Sequence, residues 1–258
     1  MKSFISIIIL SSIILLSCDK RKEDIIQSSE TSSNALFKFI NVYTSLTPSG
    51  ATPATGPAVD IYINNKKINA AAVGYASPFP APAGYASITA SPNTNLKIVL
   101  NRAGVSNSSS DILYEANYNF TIGSYTTMYL VDTLPYTNPS SPIVFSTSEK
   151  VSSAKNEFIK LRFANMSPTT DIFEVFSKRL QTVIATGARF KTSTDFMEFP
   201  LIRATDTLQL RKVGTTAVLA ELRPFNPVSS RVYTIYSRGL VGTTTGLRAL
   251  TLTSYTNK

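Results

Sequence analysis

A 258-residue chain without histidine and with one cysteine cannot build a Ser-His-Asp or Cys-His nucleophile, a histidine-ligated zinc or haem site, or a disulfide framework of its own. Its 43% hydrophobic and 16% charged residues supply a core and argue against global disorder. The net charge of +9 sits almost wholly in residues 149–258 (+8, against +1 in residues 1–148), scattered singly without a dense run, so a solvated strand face is favoured over an anionic-polymer site and no nucleic-acid partner is expected.

From the N-terminus, Lys2 precedes an apolar run over 4–16 interrupted only by serines, which closes on Leu15-Leu16-Ser17-Cys18. At about 13 residues the run is short for a helix spanning a hydrocarbon core of roughly 30 Å. An ordinary secretory peptide ends in an A-x-A-like site and not a cysteine. The segment resembles a bacterial lipoprotein signal peptide with its lipobox. That resemblance implies removal of residues 1–17 by cleavage between Ser17 and Cys18, with a thioether-linked diacylglycerol on the Cys18 sulfur. Cys18 is then an anchor to the membrane, with no catalytic or redox role. One acyl chain alone holds a protein only marginally, and stable attachment takes more than one. Residues 18–34 follow as the lipidated cysteine and a flexible tether, charged first and Ser/Thr-rich after. Lys22-Glu23-Asp24 is similar to the Lys-acidic-acidic export signal of surface lipoproteins in Bacteroidetes. It implies an outer-membrane, surface-exposed location, with a periplasm-facing one as the alternative.

Beyond the tether the pattern is period two, or short β-branched runs between Pro, Gly, Asn and Ser, with no long helical window. Strands are predicted in chain order at 36–43, 58–63, 85–90, 96–100, 112–120, 125–132 and 143–147. They continue at 158–164, 172–177, 182–185, 196–199, 207–213, 217–222, 232–237 and 247–255. Asn64-Asn65-Lys66-Lys67 reads as a tight hairpin turn, and 47–56 and 102–110 as polar loops. So many short strands predict an all-β chain of β-sandwiches.

The two halves also echo each other. Phe39-Ile40-Asn41 matches Phe163-Ala164-Asn165, and Asp60-Ile61-Tyr62 is aligned with Asp171-Ile172-Phe173. Asn95-Leu96-Lys97-Ile98 is aligned with Thr207-Leu208-Gln209-Leu210, and the segment from Ser124 to Tyr129 with that from Arg231 to Tyr236. Two tandem sandwiches are predicted, at 35–148 and 149–258. An opening strand ending in Asn, then Pro57-Ala58-Val59-Asp60-Ile61-Tyr62-Ile63-Asn64, then Pro82-Ala83-Gly84-Tyr85 and Ile122-Gly123-Ser124-Tyr125-Thr126, resembles the domain of unknown function 4397 family. The second half carries Thr192-Ser193-Thr194-Asp195 in place of the Pro-Ala-Gly element. The resemblance implies Ig-like sandwiches in a Bacteroidetes-type outer-membrane lipoprotein, and it implies no activity.

No catalytic residue, cofactor or metal site is predicted, and phosphate-binding glycine loops, CxxC pairs and EF-hand loops are absent from the sequence. Asp60 and Asp171 each stand before an Ile-aromatic pair, where an aspartate more often accepts turn hydrogen bonds than binds calcium or sugar. Glu115, Glu174, Glu198 and Glu221 read as surface charge and not as a glycosidase acid/base pair. Tyr75, Phe79 and Tyr85 flank a Pro-rich segment; such aromatics usually pack on the core, yet they are the preferred ligand-binding candidates. The expected function is a non-catalytic structural, adhesive or ligand-binding module of the envelope, whose partner would be a surface glycan or protein. The alternative is a glycan-binding accessory lipoprotein of a polysaccharide-uptake system.

Overall fold

The computed structural model describes residues 34–44, 58–80, 84–90, 95–104, 111–135, 142–201, 204–246 and 248–258. The predicted signal peptide, Cys18 and tether residues 18–33 lie outside the described residues. The predicted tether stops one residue early, because Asn34 already pairs with Thr89 and accepts a 2.8 Å hydrogen bond from the Gly123 amide. Among the described residues the secondary structure is strand, and no helix is long and apolar enough to cross a membrane.

Each strand run predicted from the sequence is found. The first half contains β1 (Asn34–Asn41), β2 (Val59–Ile63), β3 (Lys66–Lys67), β4 (Pro78–Phe79), β5 (Ala86–Thr89), β6 (Asn95–Arg102), β7 (Ile112–Asn119), β8 (Tyr125–Val131) and β9 (Ile143–Glu149). The second contains β10 (Phe158–Asn165), β11 (Phe173–Ser177), β12 (Thr182–Ala188), β13 (Thr192–Ser193), β14 (Met197–Pro200), β15 (Asp206–Lys212), β16 (Val218–Phe225), β17 (Val232–Arg238) and β18 (Thr251–Thr256). Asn64 and Asn65 take φ of 48° and 64° between Ile63 and Lys66, the left-handed pair that a two-residue hairpin requires. The run predicted at 247–255 begins later as a strand, since Ala249 is engaged in a single parallel bridge with Leu240.

Each half is a β-sandwich. The first joins an inner sheet, β4-β1-β8-β9 with β5 also on β1, to an outer sheet, β3-β2-β6-β7. The second repeats this strand for strand, with β13-β10-β17-β18 plus β14 facing β12-β11-β15-β16. In both, the opening strand runs parallel to the eighth, β1 with β8 and β10 with β17. The sandwiches divide between Glu149, the last residue of β9, and Phe158, the first of β10, so the boundary predicted after residue 148 falls inside β9 by one residue.

Alternation explains which face goes where. Ala35, Phe37 and Phe39 of β1 enter the first core with Ile61, Ile98, Leu100 and Met128. Ile40, with Val42 just beyond β1, points the other way and meets Tyr129, Val131, Ala164, Met166, Tyr236 and Tyr255 in a third cluster shared by both halves. The inner sheets thus pack on each other, giving four layers in which the two middle ones are buried on both faces. That is why β1, β8, β10 and β17 are nearly continuous buried runs, while β7 alternates with exposed residues.

The repeat is real, but two sequence alignments within it slip. β7 carries an extra residue, Leu113, opposite the step from Leu100 to Asn101 of β6, and β16 an extra residue, Leu219, opposite the step from Leu210 to Arg211 of β15. Superposing these bulges matches Ile98 with Leu208 and Asp60 with Glu174, not Ile98 with Leu210 and Asp60 with Asp171. The first is a slip of two, which a period-two pattern does not register; the second is a slip of three, drawn by the Asp-Ile-aromatic triplet that both halves carry. Asn41 and Asn165, by contrast, are equivalent in detail. Their side-chain amides donate to the carbonyls of Val73 (3.1 Å) and Ala188 (3.3 Å), and their Oδ1 atoms accept from the amides of Tyr43 (3.2 Å) and Ser167 (3.0 Å). Each is fully buried, so replacement by alanine removes two hydrogen bonds to the backbone. Asn41→Ala and Asn165→Ala are each expected to cost about 1–3 kcal/mol in urea unfolding; an unchanged midpoint would remove this closing role.

Candidate functional site

The predicted site residues have separate surroundings. Ser17 and Cys18 lie outside the described residues. Tyr75 follows the first hairpin, and its hydroxyl accepts a 3.1 Å hydrogen bond from Arg238 of the second sandwich, whose guanidinium stands 5.1 Å from its ring centroid. Phe79 pairs with Phe39 and packs on the first core. Tyr85 lies edge-on to Tyr125 at 5.0 Å, with its hydroxyl 3.0 Å from Thr127 Oγ1. All three are half-buried, and each rests on a different neighbour within the chain.

Of the acidic candidates, Asp60, Asp171, Glu115, Glu198 and Glu221 are likewise engaged. Asp60 is 2.8 Å from Lys67 Nζ and accepts from Asn69 Nδ2 at 3.2 Å, and Asp171 is 2.6 Å from Lys212 Nζ. Glu115 pairs with Lys97 at 2.7 Å, Glu198 with Lys155 at 3.4 Å, and Glu221 accepts from Gln209 Nε2 at 2.9 Å. Among the described residues no group of three His, Cys, Asp or Glu side chains is placed to hold a metal ion.

Polar chemistry concentrates instead in the seam between the inner sheets. Lys38 on β1 and Arg162 on β10 occupy matching positions three residues before Asn41 and Asn165. Both are buried, at 0% and 2% exposure. Each cation lies against the aromatic at the start of the matching short strand: Lys38 Nζ is 5.0 Å from the Tyr85 centroid, and the Arg162 guanidinium is 4.5 Å from that of Phe196. Here the likeness ends. Arg162 donates to Thr234 Oγ1 at 2.8 Å and Thr147 Oγ1 at 3.2 Å, and forms an ion pair with Glu149. The residue matching Glu149 in the second sandwich is Asn257, whose amide is taken up by Thr234 at 2.8 and 3.0 Å. Lys38 Nζ has no hydrogen-bond partner among the described residues and sits between Tyr85 and Tyr255, 5.4 Å from the latter's centroid.

Tyr129 and Tyr255 share a 2.6 Å hydroxyl–hydroxyl bond across the seam, and the Tyr255 hydroxyl also reaches Thr127 Oγ1 at 3.4 Å. Burial pushes the Tyr129, Tyr236 and Tyr85 phenols above their ordinary range. Burial also pulls the Lys38 ammonium down to about 8. For Arg162, burial opposes the charge, but Tyr255, Tyr129 and Glu149 outweigh it and keep the group protonated. The arrangement is a clamp, with Arg162 and the tyrosine hydroxyls bonded across two buried sheets and Lys38 held beside them only against aromatic rings. Sequence reasoning missed Lys38, Arg162, Tyr129 and Tyr255. The available signal was a basic residue at the same place in two otherwise apolar runs, LFKFIN and LRFAN.

No protein-family model matches the chain, and no curated protein matches it.

The seam sets a pH dependence. Because Lys38 loses its proton near pH 8 when folded and near 10.4 when unfolded, the unfolded chain binds more protons between those values, and stability rises with pH across that window. Above about pH 10 the buried tyrosines reverse the trend, since only the unfolded chain ionises them freely. Lys38→Met is expected to raise stability at pH 7 by on the order of 3 kcal/mol and to abolish the rise from pH 8 to 10, leaving the decline above it. Urea midpoints from pH 7 to 11 measure both effects; a variant that is less stable at pH 7 would show that Lys38 has a partner when folded.

Proposed function

We propose that this chain is a lipid-anchored protein of the outer membrane, held by Cys18, that presents two Ig-like sandwiches as one rigid, non-catalytic structural, adhesive or ligand-presenting module. The observation that carries this reading is the buried seam. Arg162, Tyr129 and Tyr255 tie the halves together across a shared apolar cluster, which suits display of both as one body. The Leu15-Leu16-Ser17-Cys18 motif supports the anchor. Parallel pairing of the first and eighth strands in each inner sheet supports the Ig-like description. The matched closing asparagines, Asn41 and Asn165, support two copies of the domain of unknown function 4397 type.

Feeding cells an alkynyl fatty acid is expected to label the wild-type chain, and Cys18→Ala is expected to abolish the label and release the protein from membranes. Retention of label in that variant would overturn the anchor. Protease shaving of intact cells, with a periplasmic protein as control, is expected to remove the sandwiches; full protection that ends on lysis would place them on the periplasmic side.

A further inference from the structure

The outer sheets turn one face to their cores and the other to solvent, and on that second face the two copies differ. Superposed on their bulges, Tyr62, Val99, Asn101 and Glu115 of the first sandwich match Phe176, Gln209, Arg211 and Glu221 of the second. In the second copy the face is filled. The Arg211 guanidinium lies 3.6 Å from the Phe176 centroid and donates to Gln209 Oε1 at 2.6 Å, and Gln209 donates on to Glu221. In the first copy the position of that arginine belongs to Asn101, which is too short to cover the neighbouring ring. A cavity of about 220 Å³ is left there, with Val99 as its floor. Tyr62 forms one wall, Ile112 and Glu115 the opposite one, and Lys97 and Asn101 flank the floor two residues either way along β6.

We infer that this cup binds a single neutral pyranose ring, at the end of or within an envelope glycan. A pyranose offers a flat C–H face and a rim of hydroxyls. The cup supplies an aromatic ring and two aliphatic side chains for the first, and an amide, an ammonium and a carboxylate for the second. Lys97 and Glu115 already neutralise each other at 2.7 Å, so the pair can donate to and accept from hydroxyls, whereas a charged ligand must break it. The volume lies below the roughly 300–1,000 Å³ of sites for drug-sized ligands and suits one ring. Arg211 supplies an internal precedent, because a planar polar group of ring thickness occupies the same place on the matching aromatic. This inference deepens the ligand-presenting reading above and rests on it for the source of the sugar.

The test uses the full chain in detergent with three probes: methyl β-glucopyranoside, methyl β-galactopyranoside and methyl N-acetyl-β-glucosaminide. Saturation-transfer NMR is expected to show magnetisation passing to the ring C–H protons of at least one. Asn101→Arg, which copies the second sandwich, is expected to weaken binding by roughly tenfold or more, as is Tyr62→Ala. Arg211→Asn is expected to leave that site intact. Unfolding midpoints confirm that each variant folds, and Tyr62→Ala carries the test if Asn101→Arg does not. No transfer to any of the three sugars, or transfer that survives Tyr62→Ala, overturns the inference. Fatty-acid labelling of the same preparations keeps the two readings apart: a labelled chain that binds no sugar sinks only the cup, and an unlabelled chain that binds sugar sinks only the anchor.

Discussion

Burial of both faces of the two inner sheets is the constraint on which the rest depends. A sheet covered on one side alternates polar and apolar residues; one covered on both must be apolar throughout or satisfy every polar atom internally. β8 and β17 meet the demand with threonines and tyrosines whose hydroxyls find buried partners, Tyr129 the Tyr255 hydroxyl and Thr234 the Asn257 amide. The seam also explains why the described chain holds together as one compact unit from Asn34 onward although its topology is that of two complete sandwiches.

Within that constraint the two copies have diverged where cations are buried. Arg162 has five donors in a fixed fork and finds Thr234, Thr147 and Glu149, so its charge is matched within the seam. Lys38 has a point charge and two aromatic faces, and the position that would supply its carboxylate holds Asn257. One copy therefore compensates its buried charge and the other tolerates the cost of one. The outer faces diverge in the same manner: Arg211 closes over Phe176, while Asn101 leaves Tyr62 beside an open cup. Duplication makes each half a control for the other, because the same backbone carries both solutions.

Much of the fold was legible because strand formation here follows local pattern. β-branched runs between turn residues marked the longer strands, and Asn64-Asn65 marked its own hairpin. β3, β4 and β13 are two residues each, too short to show any period. The closing asparagines were visible as a repeated Phe-x-Asn, and their common hydrogen bonds account for it. Of the site less could be read. Tyr75 and Tyr85 stood out only as aromatics beside a Pro-rich segment; their neighbours Arg238 and Lys38 lie far away in sequence or on another strand, and no pattern joins them.

By itself the sequence determined the all-β class, the longer strands, the duplication, and the chemistry that one cysteine and no histidine rule out. These follow from composition and from periods of two, which act between near neighbours on the chain. Only the tertiary structure decided the register between the copies: a period-two pattern is unchanged by the slip of two in β6, and a repeated Asp-Ile-aromatic triplet drew β2 three residues out of place until the pairing with β6 and β15 fixed it. It alone decided that β1 and β10 are buried twice over, so that Lys38 and Arg162, which read as surface charges in a basic chain, became the buried cations of the seam. Burial is a property of what covers a residue, and that cover comes from the other half of the chain.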